Sequence, residues 1–131
     1  MTIKWLSSKA VIAIHAALIE EHSGLQGAIN HASLESTLAR PQQFLSYPGL
    51  TPDIFSLAAA YAYEFAKNHC FTDGNKRVAL SSIDNFLILN GFELVASEVE
   101  AVAAIIQLAA GEMSEVDLIE WIRQNHRQLE D

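Results

Sequence analysis

Residues 69–77 read His-Cys-Phe-Thr-Asp-Gly-Asn-Lys-Arg and put an imidazole, a carboxylate, an amide, an amine and a guanidinium between two strongly apolar runs. A connection between core helices requires only turn residues, so this density of polar groups implies a charged partner. If a helix starts here, with Asp73 or its neighbour as N-cap, the N–H groups of Gly74, Asn75 and Lys76 point outward. Together with the helix dipole they form an anion site. Gly74 lacks a Cβ, which lets a phosphate oxygen approach the backbone. Lys76 and Arg77 add full positive charges, and the Asn75 side-chain amide is one more donor. Asp73 would repel a phosphate unless Mg2+ lies between them, because that ion takes carboxylate, water and phosphate oxygens. His69, four residues before Asp73, is placed to accept a proton from an incoming hydroxyl. Phe71 points inward between these polar groups and anchors the loop. General base, metal ligand and phosphate cradle in one strip compose a group-transfer site. The same residues also permit a plainer reading: an Asp N-cap, a satisfied histidine and two solvated cations.

The rest of the chain narrows the setting. With 131 residues and 50% apolar content it can bury one sizeable core, and a single domain over 1–131 is expected. No basic stretch followed by an apolar one opens it, so no secretory leader is expected. The apolar run at 54–63 is far short of the ~20 residues that span a bilayer. One cysteine, Cys70, excludes an internal disulfide and suits a reducing, cytoplasmic compartment. A net charge of −8 argues against nucleic acid as the partner. Of eight basic residues, Lys67, Lys76 and Arg77 lie in one short segment, which suits a small anion better than a polymer.

Helical periodicity dominates, so the elements that must position residues 69–77 are helices. The expected order is a helix over 8–22 stopped by Gly24, a loop over 25–30, and a short helix over 33–39 ended by Pro41. An irregular stretch with Pro48, Gly49 and Pro52 follows. Thr51 as cap and Pro52 at the first position then start a helix over 53–68 that is apolar on nearly every face and belongs in the centre. A helix over 74–90 stops at Gly91, and residues 92–96 are extended. Capping boxes at Ser97 with Glu100, and more weakly at Ser114 with Asp117, announce helices over 98–110 and 115–128. The fold class is all-α, a compact bundle of about six helices.

Other residues draw structural readings. His15 and His22 share a helix face but lack a third ligand, so His15 reads as a satisfied, partly buried histidine. His31 and His126 read as surface residues, and Cys70 as a small buried filler. Tyr61, Tyr63, Phe65 and Trp121 read as packing residues. No GxxxxGK[ST] stretch exists, so any nucleotide site rests on residues 69–77.

The string HCFTDGNKR resembles the signature of the Fic/Doc superfamily, His-x-Phe-x-Asp/Glu-Gly-Asn-Gly/Lys-Arg. It matches at His69, Phe71, Asp73, Gly74, Asn75, Lys76 and Arg77. A weaker likeness extends to the first helix, the 24–27 loop and residues 34–42. Enzymes of the superfamily that transfer AMP usually carry glycine at the position of Lys76. They also carry a second arginine at the position of Leu80. Lysine in the motif without that arginine resembles the Doc branch, toxins of bacterial toxin–antitoxin modules. The resemblance implies a kinase that moves the terminal phosphate of ATP, with magnesium, to a hydroxyl of elongation factor Tu, and a cognate antitoxin as second partner. It implies His69 as general base, Asp73 as the magnesium-associated carboxylate, and Asn75, Lys76 and Arg77 as phosphate ligands beside Gly74. Lys67 stands where some Doc toxins have arginine, and Ile29-Asn30 where relatives often have Arg-Asp. No inhibitory Ser/Thr-x-x-x-Glu-Gly/Asn motif occurs. Two other expectations stand beside the kinase: transfer of a nucleotide monophosphate to a protein hydroxyl, and a catalytically idle protein-binding module.

Overall fold

The computed structural model describes residues 2–49 and 51–130. Met1 and Asp131, the ends of the expected domain, and Leu50 in the irregular stretch lie outside the described residues. These hold six helices: α1 (Ser8–Glu21), α2 (His31–Phe44), α3 (Ile54–Lys67), α4 (Asn75–Leu89), α5 (Glu98–Ala109) and α6 (Glu115–Gln124). Two three-residue strands, β1 (Phe92–Leu94) and β2 (His126–Gln128), pair antiparallel with Glu93 opposite Arg127. The fold is all-α in character, as the periodicity requires.

The bundle closes around α3. Alanines at 58, 59, 60 and 62 keep its surface slim, so α2, α4, α5 and α6 all pack directly on it. Leu57, Tyr61 and Phe65 fill the space between them and are fully buried. Beside it, α4 turns Val78, Ala79, Ile83, Phe86 and Leu87 inward, and α1 lies across α4 with Val11, His15 and Ile19 buried. The site loop therefore connects the two most enclosed helices, which fixes both of its ends.

Five helices start on a side-chain cap: Ser7, Asn30, Asp53, Ser97 and Ser114 each accept the N–H three residues on. Five local expectations are corrected by the structure. Asp53, not Thr51, caps α3, because its Oδ1 accepts from Ser56 N at 2.8 Å while Arg123 of α6 holds Oδ2 at 2.8 Å. Pro41 does not end α2. It is buried inside the helix, and packing of its ring outweighs one missing N–H. At the end of α1 the positive φ of 54° falls on Ser23, while Gly24 returns its N–H to Ile19 O. Helix α6 stops at Gln124 rather than 128, because residues 126–128 satisfy the backbone of β1. His126, expected at the surface, is half-buried, its ring centroid 4.1 Å from that of Phe55. The Ser114–Asp117 box, the weaker signal, is complete in both directions.

Arg40 ties three helices together. Its Nε lies 3.1 Å from Glu64 of α3, and its two terminal nitrogens donate to both oxygens of Glu115 of α6 at 2.9 and 2.6 Å. Burial works against this charge, but the hydrogen bond and charge of Glu115, with Glu64, outweigh it and hold the guanidinium above its ordinary pKa. Arg40→Ala leaves two half-buried carboxylates unpaired, and we expect it to cost about 2 kcal/mol, below the fully buried case because water reaches the group. The urea midpoint measures this; no shift would show that the pairs contribute nothing net.

Candidate active site

The loop leaves α3 at Asn68 and is fastened on both sides of His69. The Asn68 amide donates to Glu64 Oε2 and to Thr37 Oγ1, each at 3.0 Å. Cys70 is fully buried, with Sγ 3.5 Å from the same threonine hydroxyl and its carbonyl accepting from Asn30 N at 2.8 Å. Burial pushes the Cys70 thiol up in pKa, in keeping with a small filler rather than a nucleophile. Between these two anchors the His69 ring is exposed and forms no hydrogen bond among the described residues. It faces a cleft.

Beyond His69 the chain is pinned again. Asn75 closes the loop on itself: its Oδ1 accepts from Phe71 N at 3.1 Å and its Nδ2 donates to Phe71 O at 2.8 Å. The amide expected to reach an anion is thus engaged with the loop, and Asn75 offers its backbone N–H instead. Phe71 is buried, as expected, and bridges Ile29 of the preceding loop. The Thr72 hydroxyl accepts from Ala28 N at 3.1 Å and donates to Ala28 O at 3.2 Å, clasping that loop a second time.

Asp73 does not cap α4. Its Oδ1 accepts from Gly74 N at 2.9 Å and its Oδ2 from Leu25 N at 3.1 Å. These N–H groups, Leu25 first, hold its carboxyl below the usual range, with Arg77 adding to the effect. The N-cap is Gly74, with φ 87° and no side-chain cap bond. A left-handed residue at that point turns the helix start one residue later than a β-region Asp cap would, and glycine adopts it without strain. Gly74 N is therefore used locally. Since the first helical bond runs from Val78 N to Gly74 O, the N–H groups of Asn75, Lys76 and Arg77 have no acceptor within the helix. The one helix that opens without a side-chain cap opens into the cleft.

That cleft measures about 480 Å³. Its polar lining is His69, Thr72, Asp73 and the start of α4 through Arg77. Its apolar lining is Ala66, Leu80, and Val102, Ile105 and Ile106 of α5. His69, Asp73, Gly74, Asn75, Lys76 and Arg77 are thus brought together. Lys67 is not; its ammonium lies 5.2 Å from the centroid of Tyr63, away from the cleft. Among the described residues Arg40, Arg123 and Arg127 are all ion-paired, and Arg77 is the one arginine that is not. The α5 wall is not among the sequence expectations, although a second apolar stripe at Val99, Val102 and Ile106 signals it.

Gly24 owes its place to Asp73: a Cβ there would lie 2.9 Å from Asp73 Oδ2 and 2.9 Å from Ile19 Cδ1. Gly24→Ala is expected to destabilise by no more than about 1 kcal/mol, because both atoms are the far ends of side chains that can shift. Urea denaturation tests this, and a larger loss would mean that neither side chain yields.

A family model described as the Fic/DOC family matches residues 5–87, which include the whole cleft loop, α1 to α3 and most of α4. The chain belongs to the Fic/Doc family. It is 32% identical over 122 residues to "Protein kinase doc" of Escherichia phage P1, covering 93% of this chain and 95% of that protein. A second relative, "Toxin Doc" of Mycolicibacterium smegmatis, is 36% identical over 67 residues, covering 51% of this chain and 52% of that one. Residues 69–77, the polar loop between apolar helices, fall inside the matched span. No helix among the described residues is long and apolar enough to cross a membrane.

Proposed function

We propose that this Fic/Doc protein is a Doc-like toxin that transfers the terminal phosphate of ATP to a hydroxyl of a target protein. One observation carries the reading: an exposed, unbonded imidazole faces the uncapped start of α4, where three free N–H groups meet Lys76 and Arg77. The likeness to a phage protein named as a kinase supports phosphate as the group moved. Leu80 in the apolar wall, where AMP-transferring relatives by resemblance hold a second arginine, points the same way.

In this mechanism His69 accepts the proton of the target hydroxyl as its oxygen bonds to the terminal phosphorus. The bond from that phosphorus to the bridging oxygen breaks, and ADP leaves. Lys76, Arg77 and the N–H groups of residues 75–77 bind the phosphate oxygens and offset charge that builds there. The apolar wall from Leu80 to Ile106 keeps water from competing. The donor set fits magnesium. Asp73 lines the cleft and is held ionised by the N–H groups of Leu25 and Gly74, and each of its oxygens keeps a lone pair for a cation. Mg2+ characteristically uses one or two carboxylates and takes its remaining ligands from nucleotide phosphates and water. When bound it would neutralise phosphate charge.

Elongation factor Tu is the proposed target by resemblance, the cytoplasm the proposed compartment, and a separate antitoxin the second partner, supported by a relative named as a toxin. Incubation with terminally labelled ATP, magnesium and elongation factor Tu, followed by mass measurement, tests the reading. Gain of one phosphate on the target is expected. Gain of a nucleotide monophosphate would replace kinase by nucleotidyl transfer, and no adduct with intact nucleotide binding would remove this target.

A further inference from the structure

His15 sits beneath the loop, and no step of the phosphate transfer uses it. It is fully buried, and its Nδ1 is the buried side-chain polar atom without a hydrogen-bond partner among the described residues. Its other nitrogen lies 2.8 Å from the Asp73 carbonyl oxygen, an acceptor only, so Nε2 carries the proton and donates. The ring stacks on Phe71 with centroids 3.9 Å apart and planes within 10°. The Cβ that Gly74 lacks would lie 3.5 Å from His15 Cδ2 and 3.7 Å from Nε2. One imidazole on α1 therefore touches Phe71, Asp73 and Gly74.

That placement asks for an explanation. An orphaned ring nitrogen in the core is a cost that leucine at the same point of the apolar α1 face would avoid. What leucine cannot do is donate to the Asp73 carbonyl. That carbonyl belongs to the peptide unit leading into Gly74, whose left-handed φ of 87° directs the start of α4. Turning this peptide swings the Asp73 carboxylate and the N–H groups of Asn75, Lys76 and Arg77 together.

Resting on the kinase reading, we infer that His15 is a positioning residue: its Nε2–H fixes the Asp73–Gly74 peptide, and so aims the phosphate-binding start of α4 from below. It touches no substrate. A residue that serves packing alone would predict something different, and the two are separable.

The test uses ATP with magnesium as ligand on the parent, His15→Leu and His15→Gln. Leucine keeps the bulk and removes the donor, whereas glutamine can return an N–H to the carbonyl. The ATP dissociation constant is expected to rise about tenfold or more in His15→Leu, as for one lost charge-positioning hydrogen bond, and to recover at least half of that on a logarithmic scale in His15→Gln. KM for the target protein stays within about twofold, since His15 is fully buried and touches no substrate. A merely structural role lowers the folded fraction, and with it binding amplitude, without changing the dissociation constant; that result overturns the inference. Equal loss in both variants overturns it too. Should neither variant fold, the ring nitrogen resonances of the parent decide. An Nε2-protonated, Nδ1-bare ring whose Nε2–H signal moves on ATP addition supports the role, and an unmoved signal or the opposite tautomer rejects it. A parent that binds ATP but transfers nothing removes the kinase reading alone, leaving the dissociation constants to judge His15. A parent that binds no ATP removes both.

Discussion

His69→Ala is expected to cut transfer sharply while leaving the fold and nucleotide binding in place. The general base of such a reaction contributes 10²–10⁴-fold, so a drop of about 10³ in turnover is expected. Three features make this the cleanest substitution in the molecule. The ring is exposed and makes no hydrogen bond among the described residues, so its loss should change stability by no more than about 0.5 kcal/mol. Its backbone is held by its neighbours, through Asn68 to Thr37 and Glu64 and through the Cys70 carbonyl to Asn30, so the loop keeps its course. The groups assigned to phosphate lie on α4, and none of them bonds His69 among the described residues, so the ATP dissociation constant should stay within about twofold. Rapid-quench measurement of label transfer, with calorimetric titration of ATP on the same preparation, separates the two effects. A variant that retains more than a tenth of the parent rate would show that the hydroxyl is deprotonated elsewhere and that His69 is not the base.

Much of this site is legible in the amino-acid order alone. The six helices follow from apolar periodicity and caps, and the polar residues of 69–77 are indeed gathered on one cleft by a loop between two buried helices. What the sequence conceals is long-range. The N-cap reads as Asp73 or its neighbour, and Gly74 fills it, which leaves the Asp73 carboxylate without an assigned partner. Only the approach of Leu25 N from a loop 48 positions away shows how its carboxylate is occupied. Asn75 reads as an anion donor because its amide is near the right place, yet the loop folds back and consumes it at Phe71. His15 reads as a satisfied, partly buried histidine; it is fully buried with Nδ1 unpartnered, and the carbonyl its Nε2 meets is 58 residues on. Pro41 and the strand at 126–128 fail for the converse reason. There, tertiary packing overrides a sound local rule, burying a proline ring in one case and pairing two short backbone segments in the other. Lys67 is a third kind of case. Proximity in sequence suggests a shared anion, but the helical turn of α3 carries its ammonium to the face of Tyr63 instead.

Arg77→Ala is expected to lower turnover by about 10²–10³-fold, the range found when one preorganised donor to a developing oxyanion is removed. The argument begins with what Arg77 does not do. In this acidic chain every other arginine meets carboxylates: Arg40 with Glu64 and Glu115, Arg123 with Asp53, Arg127 with Glu93. Arg77 shares a cleft with Asp73 and lowers that carboxyl's pKa by its field, yet the two form no ion pair. Asp73 is already held by Leu25 N and Gly74 N, so the Arg77 guanidinium stays available to a ligand. A fork of N–H donors at the third residue of an uncapped helix reinforces the backbone N–H groups beside it on the same phosphate. Arg77→Lys restores the charge but not the paired hydrogen bonds, and it should recover only the smaller part of the lost rate. Weakened ATP binding should accompany the alanine variant, in contrast to His69→Ala. Stopped-flow nucleotide binding and single-turnover transfer on the three proteins distinguish these effects. If Arg77→Lys matched the parent in both, point charge alone would suffice at the start of α4. A normal rate in Arg77→Ala would take the guanidinium out of the reaction and leave phosphate binding to the helix start and Lys76.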